Sequence, residues 1–381
     1  MRRSRWSVWT IAVAAVLSSG CNESPTDGDG DNFVEGQILV LNSLSKTIHQ
    51  FNVSDNTLVP FQASYGATLN LPANFDGVAM DILGPLMVTT TSALGGSQVI
   101  WADLGTGELI TTGFGGPTGS LADPGRATLI LDPSGVVGAL VPARAENRIY
   151  ISVPGEPNAF LVATNTGEYV ERVLPFGVFV YALDANLDDA GGTYASLGDA
   201  VMELFEFGDG SLADSFTLPD SRNITDALFS QEEIMVLAGG TFVSDPEFAP
   251  AGDGNLVVVS ATARAVRRTL ALGGNGLSIE GGKNGLGHIV RTQGSFDQTD
   301  ILTFNFFTEN FERGPGNPIQ PKDADGSDIG NCRAASALID GRLLCVTFEA
   351  ATQGRLVLMD ADGNFLDDAP VGAGATDIYI R

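Results

Sequence analysis

The chain has 381 residues, and its 46 acidic and 20 basic side chains give a formal net charge of −26 at pH 7. A surface of this sign repels nucleic acid phosphates and anionic lipid headgroups, so we expect no nucleic-acid partner. The length allows two ordinary domains or one large repeat domain.

The N-terminus has the layout of a secretory signal. Three arginines within the first five residues precede an apolar run of 12 residues, 6–17, and small residues then lead to Cys21. The run is too short to cross a bilayer as a mature helix. A cysteine after small residues resembles a bacterial lipobox, in which the thiol is lipidated and becomes the first residue, although Ser18 stands where leucine is usual. The alternative is an ordinary signal peptide cut near Gly20, with Cys21 incidental.

The sequence therefore predicts three segments. Residues 1–20 are expected to be a lipoprotein-type signal peptide, and residues 21–35 a disordered tether, because residues 22–32 contain no apolar side chain to bury. Residues 36–381 are expected to form the folded domain. Removing the first 20 residues takes away three arginines and no acid, so the formal charge falls to −29. Asn22 is not the aspartate that signals inner-membrane retention in enteric lipoproteins. The predicted location is thus the outer membrane of the bacterial cell envelope, periplasmic or surface-exposed, with the lipid anchor as the membrane contact.

One pattern, a short apolar strand, a polar turn and a second strand, occurs seven times. The copies are "TIHQFNVSDNTLV", "QVIWADLGTGELI", "AFLVATNTGEYV", "VMELFEFGDGSLA", "NLVVVSATARAVR", "DILTFNFFTENFE" and "RLVLMDADGNFLD". The polar residues taken to open the turns are spaced by 42 to 61 residues, about 51 on average, and are Asn52, Asp103, Thr164, Glu206, Ser260, Asn305 and Asp360. Further strand candidates between the copies, such as 77–82 and 86–91, bring each period to about four strands.

Four strands repeated seven times predict an all-β fold, a seven-bladed β-propeller. The chain finishes on "ATDIYIR", an alternating strand with no partner downstream, and the domain begins with "GQILVLNS", which lacks an innermost strand. Pairing of these N- and C-terminal strands would complete one blade and close the ring.

The residue pattern of several blades resembles that of a known family. "GQILVLNSLSKTIHQFNVSDNTLV", "NRIYISVPGEPNAFLVATNTGEYVERVL" and "NLVVVSATARAVRRTLALGGN" resemble the YVTN-repeat family of seven-bladed propellers. The resemblance covers most of residues 36–381 and is specific for architecture. It implies an extracytoplasmic protein with a binding or scaffold role, by analogy only.

Charged residues stand just before three of the predicted innermost strands. Asp76, Asp226 and Asp377 hold this place in "FDGVAM", "TDALF" and "TDIYI", and "GRATLIL" and "CRAASAL" offer Arg126 and Arg333. Because innermost strands line the channel of a propeller, we expect these side chains to gather at one opening as a ligand site. Three close carboxylates need a compensating charge. Either a hard cation such as calcium or pairing with the arginines would supply it; alternatively, each aspartate merely caps a turn.

Cys332 and Cys345 are the other two cysteines, and an exported chain permits a disulfide. A two-residue Asp340-Gly341 turn would place Ile339 opposite Arg342 and Cys345 opposite Ser336. Cys332 would then lie about four residues further along, so the sequence leaves the bridge open.

Other motifs are weaker. The acidic loop with Asp323, Asp325 and Asp328 resembles a calcium loop but lacks the full EF-hand pattern. His49 and His288 lie in strand-like stretches and are expected to be packing or surface residues. The long insertions 239–255 and 314–331 are the segments in which binding would be expected on a rigid scaffold.

Taken together, the sequence predicts a lipid-anchored envelope propeller that acts as a binding or scaffold module, for a protein or small-molecule partner that the sequence does not identify. An enzyme is the less favoured alternative, namely a metal-dependent hydrolase of the lactonase or gluconolactonase propeller type. A surface-layer structural protein is the third possibility.

Overall fold

The computed structural model describes residues 37–73, 75, 77, 79–91, 98–114, 124–131, 137–156, 160–164, 170–185, 187–188, 195–196, 198–230, 232–243 and 249–381. The predicted signal peptide, the tether, Cys21 and Asp76 lie outside these residues. Within them the regular structure is strand, apart from one 3-10 turn at Arg144–Glu146. No helix in the described part of the chain is long and apolar enough to cross a membrane.

The strands form seven four-stranded antiparallel blades around a ring, as predicted. Blade 1 contains β1 (Ile38–Asn42), β2 (Thr47–Ser54), β3 (Thr57–Pro60) and the last strand, β33 (Ala375–Ile380), with β4 (Thr68–Asn70) also paired to β2. Blade 2 contains β5 (Met80–Leu83), β6 (Leu86–Thr90), β7 (Gln98–Asp103) and β8 (Leu109–Phe114). Blade 3 contains β9 (Thr128–Leu131), β10 (Val137–Ala143), β11 (Arg148–Ser152) and β12 (Phe160–Thr164).

The next two blades each carry an added hairpin. Blade 4 contains β13 (Val170–Phe176), β14 (Phe179–Asp184), β17 (Val201–Glu206) and β18 (Leu212–Thr217), with the hairpin β15 (Leu187–Asp188) and β16 (Ala195–Ser196). Blade 5 contains β19 (Ile224–Ser230), β20 (Glu233–Ala238), β23 (Asn255–Ser260) and β24 (Ala265–Ala271), with the hairpin β21 (Phe242–Val243) and β22 (Ala249–Pro250).

The last two blades complete the ring. Blade 6 contains β25 (Asn275–Gly281), β26 (Leu286–Thr292), β27 (Thr299–Asn305) and β28 (Asn310–Arg313). Blade 7 contains β29 (Cys332–Ala337), β30 (Leu343–Thr347), β31 (Arg355–Met359) and β32 (Phe365–Pro370).

The two ends of the chain meet in blade 1, which confirms the predicted closure. β33 pairs antiparallel with β1, with Ile38 opposite Ile380 and Val40 opposite Ile378. An alternating apolar strand can bury both faces here, because one face meets blade 7 and the other meets blade 2. The innermost strand of the first blade is therefore supplied by the last residues of the chain.

The core consists of seven apolar clusters, one between each pair of neighbouring blades. Each cluster takes side chains from the facing surfaces of two sheets, so every blade contributes to two clusters. The cluster between blades 7 and 1 includes Leu344, Leu356, Ile38 and Ile378. Apolar burial thus holds the closing interface in the same way as the other six.

The prediction for the third copy of the repeat is wrong, because this copy spans two blades instead of lying within one. "AFLVATNTGEYV" covers β12, the outermost strand of blade 3, and the first residue of β13, the innermost strand of blade 4. The other six copies each cover the third and fourth strands of one blade. When the last residue of each third strand is used instead (Ser54, Asp103, Ser152, Glu206, Ser260, Asn305 and Met359), the spacing narrows to between 45 and 54 residues.

The antiparallel order gives the ring two distinct faces. The long-loop face is the end at which the innermost strands begin, and it carries the connections 185–200, 239–254 and 314–331. The short-turn face is the opposite end, where the first strand of each blade turns into the second and the third into the fourth. Gln37 lies on the short-turn face, because its carbonyl accepts a 2.9 Å hydrogen bond from the backbone N–H of Arg381 at the end of β33.

Candidate functional site

In the described part of the chain, the innermost strands and the residue two before β9 carry seven charged side chains that converge on the channel. They comprise three arginines and four acids: Arg126, Arg172, Arg333, Asp81, Asp226, Glu280 and Asp377. Asp226 and Asp377 occupy the third position of their strands, and Arg172 occupies the same position in β13. The chain therefore places charge at one level of several blades.

Arg126 lies at the centre of this channel network. Its Nη1 is 3.0 Å from both carboxylate oxygens of Asp226 and 3.7 Å from Oε1 of Glu280, and its Nη2 is 3.9 Å from Oδ2 of Asp377. These acids come from blades 5, 6 and 1, whereas Arg126 precedes β9 of blade 3. A side chain that reaches three other blades must cross the channel. One guanidinium thus ties four blades together.

Burial alone would lower the pKa of the Arg126 guanidinium, but the surrounding carboxylates more than compensate and raise it well above its ordinary value. Burial also raises the pKa of Glu280 well above its usual range, and Asp377 adds to this effect against the opposing influence of Arg126. Glu280 therefore retains its proton to a higher pH than an exposed glutamate does.

The three aspartates also join neighbouring blades. In each, one carboxylate oxygen accepts a hydrogen bond from the next backbone N–H of its own strand, and the other accepts one from the innermost strand of the following blade. The links between blades run from Met80 N–H to Asp377 (2.8 Å), from Leu129 N–H to Asp81 (2.8 Å) and from Ile279 N–H to Asp226 (3.3 Å). The own-strand bonds measure 2.8 to 3.0 Å.

The other two arginines differ in their partners. Arg172 donates to the backbone carbonyls of Ala127 (3.1 Å) and Ala227 (3.4 Å), and burial, followed by the charge of Arg126, lowers its pKa to about 10. Within the described part of the chain, Arg333 makes no ion pair. Burial lowers its pKa, and the nearby Asp226 opposes that effect. Arg333 thus differs from Arg126, which forms ion pairs with Asp226, Glu280 and Asp377.

The structure places the residues predicted for this site as follows. It brings Asp226, Asp377 and Arg126 together and puts Arg333 in the same network, whereas Asp76 lies outside the described residues. The oxygens of Asp226 and Asp377 accept backbone hydrogen bonds, and both side chains lie within ion-pair distance of Arg126. No group of three or more potential metal-ligating side chains among the described residues is arranged to hold a metal ion.

Sequence reasoning missed Asp81, Arg172 and Glu280. Arg172 could have been found, because "VERVL" aligns with "ITDAL" and "ATDIY". Asp81 is the second residue of β5 and Glu280 is the sixth residue of β25, and no local pattern marks either of them.

The three aspartates of the acidic loop 323–328 all have partners in the protein. Asp323 pairs with Arg355 at 2.7 Å, Asp325 accepts hydrogen bonds from Ser327, and Asp328 pairs with Lys322. The surrounding insertion is fixed to blade 6, since Ile319 exchanges two 2.9 Å backbone hydrogen bonds with Ile301. The aspartates of the loop thus have partners both within the insertion and in β31 of blade 7.

Cys332 and Cys345 are joined by a disulfide, with their Cα atoms 6.0 Å apart. The expected register was shifted by one residue, because the turn after β29 is longer than two residues and places Cys345 opposite Ala335, not Ser336. A bulge between Cys332 and Ala334 then brings Cys332 opposite Thr347. Together, the longer turn and the bulge put the two sulfurs within bonding reach.

Comparisons with known proteins support the fold. No protein-family model matches the chain, and no curated protein matches it in sequence. Among solved structures, the chain is similar to the dihydro-heme d1 dehydrogenase NirN in complex with DHE, with a TM-score of 0.51 at 12% identity over 99% of this chain and 82% of that one.

Two further structures show a comparable likeness. Apo AztD from Citrobacter koseri has a TM-score of 0.51 at 11% identity and covers 92% of this chain and 98% of its own. A functionally unknown protein from Desulfotomaculum acetoxidans has a TM-score of 0.50 at 11% identity, over 89% and 100% of the two chains. At these identities the likeness establishes the fold alone, and membership of the YVTN-repeat family stays a prediction. The chain is a seven-bladed β-propeller.

Proposed function

We propose that this protein is a lipid-anchored binding module of the bacterial cell envelope, with its ligand site on the long-loop face. The proposal rests on one observation: the point at which the chain joins the ring and the predicted ligand site lie on opposite faces. The chain joins the ring at Gln37 on the short-turn face, whereas the inner-strand starts and the long insertions occupy the opposite end. An acyl chain on Cys21 would therefore leave the charged channel mouth facing away from the membrane.

The electrostatics of the mouth favour a ligand with an acidic group. Arg126 is committed to three carboxylates, and Arg172 to two backbone carbonyls. Arg333 has no such partner among the residues that the structure describes, so a carboxylate or phosphate of a ligand would gain a charge-assisted hydrogen bond there. Both oxygens of Asp226 and of Asp377 accept backbone hydrogen bonds, so these carboxylates also support the contacts between neighbouring blades.

Fractionation of cells tests the anchor. The wild-type protein should remain in the membrane fraction after a high-salt wash, and Cys21→Ser should move to the soluble fraction. A Cys21→Ser protein that stays with the membranes would refute the anchor.

Thermal-shift screening of small carboxylates and phosphate esters tests the site on the purified protein. A ligand should raise the Tm of the wild type and of the surface control Arg313→Gln, but not of Arg333→Gln. An equal rise in all three proteins would place the binding elsewhere.

A further inference from the structure

The short-turn face carries a ring of exposed apolar side chains. Among the residues that the structure describes, five of the seven blades expose one such residue at or beside the turn between the first and second strands. Ile339 is 78% and Leu131 60% exposed, and Val178, Leu83 and Phe229 are 37 to 40% exposed. We call these five residues the apolar ring.

The members of the apolar ring surround one opening of the channel. The ends of the innermost strands touch their neighbours in several places around it. Phe176 and Phe229, at the ends of β13 and β19, have ring centroids 5.4 Å apart. Lys283 N–H donates to the carbonyl of Ala337 at 2.8 Å, which joins blades 6 and 7. The Arg381 guanidinium donates to the Gly84 carbonyl, which joins blades 1 and 2.

The chain outside the described residues attaches at this same face. Besides the backbone contact, Nη1 of Arg381 donates to Oε1 of Gln37 at 2.9 Å. Gln37 is therefore fixed beside the apolar ring. The segment from Cys21 to Gln37 spans at most about 55 Å when fully extended. A lipid anchor on Cys21 would therefore keep this face close to the bilayer. The effective concentration of lipid at the apolar ring would then be high.

We propose that the apolar ring rests on the bilayer that holds the lipid anchor, with its side chains at the boundary between headgroups and acyl chains. This inference rests on the proposed lipidation of Cys21. Removal of exposed apolar side chains from water favours the contact. The outer turns of the same face expose acids, among them Asp55, Asp209 and Asp362. Zwitterionic lipids are therefore the expected partners, and anionic lipids should weaken the contact.

Site-specific fluorescence on the lipidated protein tests the proposal. Cys332 and Cys345 are paired and Cys21 is consumed by acylation, so an introduced cysteine is the one free thiol. Ile339→Cys would report on the short-turn face. Leu44→Cys is the matched control, because Leu44 is 46% exposed and lies in the β1–β2 connection on the long-loop face. Both labelled proteins are reconstituted into phosphatidylcholine vesicles that contain nitroxide-labelled lipid.

We expect the lipid quencher to reduce emission at position 339 at least twofold and to leave position 44 unchanged. Addition of phosphatidylglycerol should reduce the difference. Equal quenching at both positions, or none at either in a protein shown by mass spectrometry to be acylated, would overturn the contact and leave the anchor intact. A blue shift at position 339 without lipid quenching would place this face against protein and also overturn it. An unacylated Cys21 would remove both proposals.

Discussion

Replacement of Arg126 by methionine tests whether one guanidinium holds the channel together. The variant keeps an unbranched apolar side chain but leaves Asp226, Asp377 and Glu280 without their shared cation. Loss of one partner of a buried ion pair costs about 3 to 5 kcal/mol. Because Glu280 can remain protonated, we expect the lower end, about 3 kcal/mol. For a domain of this size that corresponds to a fall in Tm of about 4 °C.

The loss of stability in Arg126→Met should also depend on pH. Without the cation, the pKa of Glu280, which burial already raises, should rise further in the folded variant. An acid whose folded pKa is raised contributes stability below its unfolded pKa, and this stability is lost as the pH rises through the folded pKa. The difference in Tm between wild type and Arg126→Met should therefore be largest near pH 8 and shrink towards pH 5.

Thermal unfolding followed by far-UV circular dichroism at several pH values measures both effects. Arg313→Met is the matched control, because Arg313 and Asp362 form an exposed ion pair at 3.1 Å whose loss should change stability by less than about 0.5 kcal/mol. An equal fall in Tm for the two variants, or a deficit for Arg126→Met that does not change with pH, would refute the reasoning.

Three further predictions concern the blades. Burial lowers the pKa of His288 to about 4 from 6.5, so stability should fall by roughly 3 kcal/mol as the pH drops through that window, and His288→Phe should lose this part of the slope in urea titrations. Reduction of the Cys332–Cys345 disulfide should lower the unfolding free energy by about 3 kcal/mol, whereas Cys345→Ala should not respond to reductant. Ile378→Ala in the closing blade should cost about 3 kcal/mol, as much as Ile279→Ala in the innermost strand of blade 6, since both side chains are buried. A neutral Ile378→Ala would contradict closure through β33.

The architecture could be predicted because it follows from the period of the repeat and from the alternation of apolar and polar residues in the strands. The spacing of the copies and the unpaired strands at both ends were sufficient for the blade count and the closure. The phase of the third copy could not be predicted locally. "AFLVATNTGEYV" has the same strand, turn and strand pattern as a hairpin within one blade, although its turn joins two blades.

The candidate site could be predicted from the sequence only in part. Asp226, Asp377 and Arg126 each stand just before a short apolar run in the sequence, so alignment of these runs predicted that the three side chains lie together. Glu280 lies near the end of β25, and its neighbours come from blades 1, 3 and 5. Its environment exists only once the ring has formed. The disulfide depended on a longer turn and a bulge, which shift register without a distinct sequence signal.

Closure through β33 also changes how the molecule should come apart. An open solenoid of seven repeats has six internal interfaces and two terminal repeats, which fray first. This ring has seven apolar interfaces for seven blades, and none of its blades is terminal. Loss of any one interface creates two unprotected sheet surfaces at once. The blades should therefore unfold together rather than peel from the ends, and native-state hydrogen exchange should show similar protection in all seven.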